Sequence, residues 1–186
     1  MDRVKKMVHY WCDDIKKAGL TGKGVTVAVL DTGLAPHPDF KSRVIGWRDC
    51  IYRKEKCYDD NGHGTHVAGI LGGSGQMSGG ILSGIAPLCR LVIVKVLDQK
   101  GEANVASILA GLKWVEMNHR KYKIRIVNLS AGAGENLEPG KEKMLIEAVE
   151  HLWDLGLVVV VSSGNNGPGE GTIAIPGNSR KVITVG

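Results

Sequence analysis

The chain alternates between short runs of apolar residues and segments with helical spacing. Residues 25–30 form the first apolar run, and similar runs follow at residues 91–97, 124–129, 157–161 and 182–185. Runs without a polar face are typical of strands that are covered on both sides, as in a parallel sheet. We therefore predict that these runs form the buried strands of one such sheet.

Three segments outside these runs have the apolar spacing of helices. Asn104 is a suitable N-cap for one helix, and Pro139 and Gly156 mark the start and the end of another. The apolar positions of these two helices are Val105, Ile108, Leu109, Leu112 and Val115, and Met144, Leu145, Ala148, Val149 and Leu152. Near the start of the chain, one further helix is predicted by Val4, Met7, Val8, Trp11 and Ile15. Strands that alternate with helices indicate βαβ units with right-handed crossovers, and hence an α/β fold.

Length and charge narrow the class of protein. The 186 residues suit one domain spanning residues 1–186, with residues 1–20 as a lead-in. The formal net charge is +5, but the basic residues are scattered, so we expect no nucleic-acid partner. No apolar stretch has the length of a membrane span and no signal peptide is recognisable, so we expect a cytoplasmic protein without membrane contacts.

The four cysteines have neither the density of a disulfide scaffold nor the spacing of a zinc site. Cys50 and Cys57 are close enough in sequence to bridge a loop. Free thiols are the expectation for a cytoplasmic protein.

Polar residues directly follow several of the predicted strands. Asp31 follows the first strand, Ser130 the third, and Ser163-Gly164-Asn165 the fourth. Because ligands bind beyond the carboxyl ends of parallel strands, these residues are candidates for one functional site. Asp31 either orients a histidine, binds a metal or caps a turn. Asn165 is either a donor to an oxyanion or a turn asparagine, and Ser130 either ends a strand or borders a groove.

A histidine motif opens a predicted helix of small residues. The sequence His63-Gly64-Thr65-His66 follows a polar loop, and a histidine in the first turn of a helix can present its ring to a cleft. Two histidines three residues apart also suit a metal site, although no further ligand stands at a supporting spacing.

The order of these motifs resembles the subtilase family of serine proteases. Asp31-Thr32-Gly33 at a strand end, residues 63–69, Asn128-Leu129-Ser130 and Ser163-Gly164-Asn165 succeed one another as in that family. The resemblance covers residues 20–186 and is strongest to an AprX-like bacterial branch. It implies a subtilisin-like α/β fold in three layers, with a mostly parallel sheet and helices on both of its faces.

The resemblance also implies a function, that of a serine endopeptidase acting on peptide or protein substrates. Asp31 would be the orienting acid, His63 the general base and acid, and Asn165 the donor to the oxyanion. The remaining matched positions line the substrate groove: Ser130, Ala131 and Gly132 form one wall, Gly101 lies in the opposite wall, and Ser162, Ser163 and Gly164 lie at the specificity pocket.

Two further expectations follow from the family pattern. The family's nucleophile lies in a Gly-Thr-Ser-Met-Ala-type segment, which these residues do not contain. We therefore expect a domain incomplete at its C-terminus, inactive alone, with the serine on a C-terminal segment or a partner chain. We expect no cofactor: Asp39 matches one position of a family calcium site, but residues 72–83 carry no carboxylate.

Two alternatives come from other classes of protein. A pseudoprotease would keep the peptide groove without the nucleophile, and it remains an alternative at this point. An aspartic protease built on Asp31-Thr32-Gly33 needs an all-β chain, which the alternation of strands and helices argues against.

Overall fold

The structure is a computed structural model that describes residues 2–10, 18–131, 139–167 and 169–186. Its regular elements in chain order are α1 (Asp2–Met7), β1 (Thr26–Asp31), β2 (Val44–Asp49), α2 (His63–Gly72), β3 (Arg90–Lys95), α3 (Val105–Tyr122), β4 (Ile124–Leu129), α4 (Pro139–Asp154), β5 (Val158–Ser162) and β6 (Ile183–Val185). Two 3₁₀ turns, Pro38–Phe40 and Gln76–Ser78, lie in the connections. From β3 to β5 strands and helices alternate, as predicted.

The six described strands form one parallel sheet in the order β2-β3-β1-β4-β5-β6. Strand β1 lies at the centre, with β3 on one side and β4 on the other. The chain therefore builds the sheet outward in two directions from β1. Such a reversal of strand order creates a crevice at the carboxyl edge, where α/β proteins bind their ligands. The predicted α/β fold is confirmed.

Each face of the sheet has its own hydrophobic core. Ala28 and Leu30 of β1 point to one face, and Val27 and Val29 point to the other. Helices α3 and α4 cover the first face with the buried side chains Ile108, Leu112, Val115, Leu145, Val149 and Leu152. Helix α2 packs on the second face through Ala68. Helices on both faces of the sheet confirm the three-layer arrangement.

The second face is only partly covered by described residues. Beside α2, an apolar groove of about 370 Å³ runs across β1, β4 and β5. Its floor includes Ile126 and Val160, and Val67 and Ile70 of α2 form its side.

Strand β2 was not among the predicted strands. Its sequence mixes Val44 and Ile45 with Gly46 and Arg48, so no apolar run is visible. The reason is its position, since β2 is the outermost strand and most of its residues are half-buried. A strand at the edge of a sheet does not need two apolar faces.

The apolar face predicted for the N-terminal helix is wrong where the structure describes it. Helix α1 ends at Met7, and Met7 and Val8 are exposed. Among the side chains of α1 that the structure describes, that of Lys5 is buried, and its Nζ donates to Ser83 Oγ at 3.0 Å. The spacing of apolar residues was misleading here, because the side chain that packs against the loop containing Ser83 is a lysine. The other predicted positions of this helix, Val4, Trp11 and Ile15, have side chains outside the described residues.

The three helix boundaries predicted in the middle of the chain are confirmed. The side chain of Asn104 accepts the Ser107 N–H at the start of α3, and α4 begins at Pro139. Gly156 follows α4 with a φ of +85°, which favours glycine at a helix end. Met144 is an exception to the predicted apolar side of α4, since it is exposed.

The described cysteines Cys50, Cys57 and Cys89 carry free thiols. Cys50 packs against the core under α3 and α4, whereas Cys57 packs against the core under α2. This separation explains why the two do not form the loop-bridging disulfide that their spacing allowed. Among the helices that the structure describes, none is both long and apolar enough to cross a membrane.

Candidate active site

The carboxyl edge of the sheet brings the predicted polar residues together. Asp31 is the last residue of β1, and Ser162 is the last residue of β5. Leu129, which precedes Ser130, pairs in register with Leu30, which precedes Asp31. Parallel pairing thus places these residues at one edge, as the sequence predicted.

Asp31 and His63 form a direct pair across the start of α2. His63 Nδ1 lies 2.7 Å from Asp31 Oδ1. The side chain of Asp31 is fully buried, whereas that of His63 is 50% exposed. The imidazole therefore extends from a buried carboxylate toward solvent, which is the arrangement that lets a carboxylate orient a working histidine.

The two carboxylate oxygens of Asp31 have different surroundings. Oδ1 also accepts the Thr32 N–H at 2.7 Å. Oδ2 is buried and has no hydrogen-bond partner among the described residues. Burial raises the pKa of Asp31, and the hydrogen bonds from His63 and Thr32 only partly offset this effect.

Asp59 holds the loop that leads into the histidine helix. Its carboxylate accepts hydrogen bonds from Thr32 Oγ1 at 2.9 Å, from the N–H groups of Asn61, Gly62 and Thr65, and from Thr65 Oγ1 at 2.6 Å. Burial by itself would raise the pKa of Asp59. These hydrogen bonds outweigh that effect and lower the pKa to about 2. A single carboxylate thus joins the turn after β1 to the first turn of α2.

The backbone of α2 approaches the turn after β1 very closely at Gly64. The Gly64 N–H donates to Thr32 Oγ1 at 2.8 Å. A Cβ atom at position 64 would lie 2.4 Å from the carbonyl oxygen of Gly33 and 3.1 Å from Asp31 Oδ1. Only glycine therefore allows His63 to reach Asp31 without moving this turn.

The exposed side of His63 opens into a cleft of about 650 Å³. The cleft brings together most of the predicted site residues, namely His63, Gly101, Ser130, Ala131, Ser162, Gly164 and Asn165. Asp31 lies behind the histidine and does not line it. Ser163 does not line it either, because its backbone pairs with Val185 and Ala174. Gly132 lies outside the described residues.

The wall that contains Gly101 is a tight turn built on Asp98. Asp98 Oδ1 accepts the N–H groups of Lys100 and Glu102, and Gly101 has a φ of +79°. Asn61 ties this wall to the histidine loop: its Nδ2 donates to Gln99 O at 3.1 Å, and its Oδ1 accepts the His63 N–H. The wall and the histidine are therefore positioned together.

No described serine is hydrogen-bonded to His63. Ser130 Oγ accepts from Asn128 Nδ2 at 2.8 Å, and Ser162 Oγ accepts from the Gly164 N–H at 3.1 Å. Both hydroxyls thus have partners within the cleft walls. The cleft therefore contains an imidazole backed by a buried carboxylate and, in Asn165, a side-chain amide.

The alternative of a metal site finds no cluster of ligands. Within the described ranges, no group of three or more His, Cys, Asp or Glu side chains is placed to hold a metal. His66 lines a different cavity from His63. Asp39 fastens a loop, since its Oδ1 accepts the Met77 N–H and its carbonyl oxygen accepts the Ser74 N–H.

Sequence reasoning missed several residues that build the site. Asp59, Asn61 and Thr65 act through hydrogen bonds to distant parts of the chain, which no local pattern reveals. Lys95 is different, because a charged residue within an apolar run is a visible signal.

The comparisons with known proteins agree with this geometry. Residues 22–186 match the profile of the subtilase family, Peptidase_S8. The chain belongs to the subtilase family. The aspartic protease alternative is thereby excluded, and the predicted family is confirmed.

Two curated subtilases show the extent of the similarity. Serine protease AprX of Bacillus subtilis (strain 168) is 48% identical over 172 residues, which are 90% of this chain and 39% of that protein. Subtilisin Savinase of Lederbergia lenta is 40% identical over 168 residues, 90% of this chain and 57% of that protein. The match to AprX agrees with the branch that the motifs indicated. This subtilase chain thus spans well under two thirds of either relative.

The fold comparison leads to the same family. The crystal structure of a cold adapted subtilisin-like serine proteinase superposes with a TM-score of 0.74 at 29% sequence identity. The match covers 90% of this chain and 56% of that one. The architecture of this subtilase chain is therefore that of a subtilisin-like domain over nearly all of its length.

Proposed function

We propose that the protein is a serine endopeptidase in which this chain supplies the acid, the base and an oxyanion donor. The observation that carries the proposal is the Asp31–His63 pair, 2.7 Å apart, at the end of a cleft that also contains Asn165. Membership of the subtilase family supports the same reaction. The substrate class is a peptide or protein.

The hydrogen bond to Asp31 sets the tautomer of His63. Asp31 Oδ1 is an acceptor that already takes the Thr32 N–H, so His63 Nδ1 carries the hydrogen and donates it. The lone pair on Nε2 is then free to take the proton of a serine hydroxyl as the oxygen attacks the peptide carbonyl carbon. His63 next returns this proton to the leaving amine. Water hydrolyses the acyl-enzyme by the same two proton transfers.

Asn165 has the chemistry needed for the charge that develops during this attack. Its side-chain amide lies in the same cleft as His63 and can donate to the carbonyl oxygen as that oxygen becomes negative. We assign Asn165 this role.

The two walls of the cleft suit an extended peptide. Ser130 and Ala131 continue from β4, and Gly101 lies in the turn opposite. We propose that a substrate lies between them and pairs with the backbone as an added strand. Ser162 and Gly164, which line the cleft, would lie near the side chain that precedes the scissile bond.

We further propose that the nucleophilic serine comes from a C-terminal segment or a partner chain. The subtilase relatives are longer than the matched region, which accounts for 39% of AprX and 57% of Savinase. The apolar groove beside α2 is a suitable surface for such a segment, since it borders the helix that begins with His63. On this proposal residues 1–186 alone do not hydrolyse peptides.

A fluorophosphonate probe tests the proposal on the natural protein. The probe is expected to label one serine, and His63→Ala should abolish labelling because the hydroxyl loses its base. Intact mass then shows whether the labelled chain is larger than the 19.9 kDa of residues 1–186. A protein that stays unlabelled but binds peptides in the cleft would instead be a pseudoprotease.

A further inference from the structure

Lys95 is a lysine with no exposed surface, at the carboxyl end of β3. Its side chain is 0% exposed, and it follows four fully buried apolar residues of the strand. Removing an ammonium group from water is costly unless it is paired and hydrogen-bonded. A buried lysine therefore needs specific partners. One partner of Lys95 lies next to Asp31 in the sequence, and the other lies in the loop before His63.

The ammonium group of Lys95 joins two separate segments. Nζ donates to the carbonyl oxygen of Thr32 at 2.7 Å and to Asp60 Oδ1 at 2.6 Å. Thr32 is the residue after Asp31, and Asp60 lies three residues before His63. The aromatic ring of Tyr58 lies 5.2 Å from Nζ and covers it from the loop.

The sheet register explains why position 95 is suited to this contact. Lys95 pairs with Asp31 in the parallel ladder between β3 and β1. Its side chain therefore begins beside the catalytic strand and ends beside the turn that follows it. The ammonium group also contacts the loop before His63, through Asp60.

A contribution to stability does not by itself explain this arrangement. The desolvation of a buried ion pair offsets much of its attraction, and well-packed apolar replacements of both partners are often neutral or stabilising. Removal of one partner alone is destabilising because the other charge is left unpaired. Methionine is unbranched and of similar length, so it can fill the same space. Methionine cannot, however, make the two hydrogen bonds by which Lys95 joins its partners.

We propose that Lys95 is a positioning residue that holds the turn after Asp31 and the loop before His63 in register. It touches neither the substrate nor the reacting atoms. It acts by fixing the carbonyl of Thr32 and the carboxylate of Asp60, and so the separation of the carboxylate and the imidazole. Its consequence for catalysis rests on the proposed function, whereas its consequence for the geometry of the pair does not.

Proton NMR tests the geometric consequence directly. The Nδ1 proton of His63, held in a short hydrogen bond to Asp31, should resonate far downfield of the amide protons. This signal should disappear in His63→Ala, which assigns it. In the protein expressed at its natural length, Lys95→Met is expected to lose or broaden the signal, and the thermal midpoint should fall because Asp60 and the Thr32 carbonyl lose their partner. A purely structural lysine would lower the midpoint and leave the signal intact, so the signal distinguishes the two roles.

Two further variants complete the experiment. Asp60→Asn keeps Lys95 but weakens the contact between Lys95 and the loop before His63. The side chain of Asp60 is 28% exposed, so this variant should fold. It therefore tests the inference if Lys95→Met does not fold. Lys113→Met removes the cation of an exposed ion pair with Glu116 and should leave the signal unchanged. If the protein hydrolyses peptides, Lys95→Met should lower kcat about 100-fold, the loss typical of a small misplacement of reacting groups, with KM little changed.

The possible results distinguish the role of Lys95 from the proposed function. A signal unaltered in Lys95→Met, or in Asp60→Asn where the first variant is unfolded, would overturn the inference. So would a wild-type protein without the signal, because there would be no ordered pair to position. A wild-type protein that shows the signal, responds to Lys95→Met and yet is not labelled by a fluorophosphonate would overturn the proposed function and leave the role of Lys95 standing.

Discussion

Asp31 binds His63 through one carboxylate oxygen and leaves the other without a partner among the described residues. The Oδ1 atom lies 2.7 Å from His63 Nδ1, while Oδ2 is fully buried and accepts no hydrogen bond there. The buried carboxylate therefore depends on the imidazole for much of its stabilisation. Two measurable consequences follow, one for activity and one for the dependence of stability on pH.

Asp31→Asn should nearly abolish hydrolysis. The amide of asparagine can donate to Nδ1, which moves the hydrogen of the imidazole to Nε2 and removes the lone pair that must take the serine proton. In trypsin the same replacement lowers kcat about 10⁴-fold, and we expect a loss of that order here. Steady-state kinetics of the protein at its natural length on a peptide substrate measures it, since the nucleophile is proposed to lie outside residues 1–186. An unchanged kcat would contradict the role of Asp31.

The same variant should gain stability relative to the wild type as pH rises. Burial raises the pKa of Asp31 above the value of 3.8 that applies when the chain is unfolded. Below pH 3.8 the carboxyl is protonated in both states and contributes no difference. Above it, the unfolded state ionises first, so the wild type loses stability until the folded carboxyl has ionised too. Urea unfolding should be measured below pH 3.8 and at neutral pH. The free energy of unfolding of Asp31→Asn, relative to that of the wild type, should be higher at neutral pH.

Asp59 should have the opposite dependence on pH. Its hydrogen bonds lower its pKa from 3.8 to about 2, so the ionised form stabilises the fold above pH 3.8, and this stabilisation is lost as pH falls to about 2. Because Asp59 is only partly buried and solvent screens its interactions, the contribution is about 1–2 kcal/mol. Asp59→Asn should therefore be less stable by about that amount at neutral pH, and similar to the wild type at about pH 2.

A matched control for Asp59 is available on the surface. Asp154→Asn removes an exposed carboxylate that pairs with Lys181 at 2.8 Å. Exposed pairs of this kind contribute about 0–1 kcal/mol. Denaturant unfolding over the acid range should separate the two variants. An Asp59 variant no more affected than Asp154→Asn would show that the hydrogen bonds around Asp59 are not important for acid stability.

The elements that the sequence predicted are those whose interactions are local or repetitive. Four of the five apolar runs became inner strands, because an inner parallel strand needs apolar side chains on both faces. The fifth run became the edge strand β6, and its predicted burial is wrong, since Ile183 and Val185 are exposed. Asn104 is a cap because its partner lies three residues away. Strand β2 was missed since an edge strand needs no such run. In α1 the residue that packs inward is Lys5, which the helical spacing of apolar residues did not indicate.

The candidate site likewise contains residues that the sequence predicted and residues that it did not. Asp31, His63 and Asn165 could be predicted because they lie in short motifs whose order is informative. The residues that hold them are joined over long distances in sequence, as in the contacts of Asp59 with Thr32 and of Lys95 with Asp60. Such contacts depend on which strands are neighbours, which the sequence pattern left open.

Gly64→Ala should separate Asp31 from His63. The added methyl group would lie 2.4 Å from the Gly33 carbonyl oxygen, which is part of the backbone and cannot rotate away. We expect a loss of stability of about 1–3 kcal/mol, as for other overpacked sites, together with loss of the downfield His63 proton. Calorimetry and proton NMR measure the two effects.

Gly69→Ala is the control within the same helix. A Cβ atom at position 69 meets nothing within 4 Å, and the residue lies in the interior of α2. Because alanine is the better helix former, this variant should be about 0.5–1 kcal/mol more stable than the wild type. Destabilisation of both variants to the same degree would show that the close approach at Gly64 has no special importance.

Asn165→Ala tests whether the side-chain amide in the cleft stabilises an oxyanion. Removal of the oxyanion-hole asparagine of subtilisin, a member of the same family, lowers kcat about 10²–10³-fold, and we expect a similar loss with KM little changed. An interaction that forms only in the transition state affects kcat, whereas a contact with the bound substrate would raise KM. Asn166, the next residue in the same cleft, provides the comparison, and Asn166→Ala should retain most of the activity. A rise in KM at constant kcat for Asn165→Ala would assign it to substrate binding and leave the oxyanion without a side-chain donor from this chain.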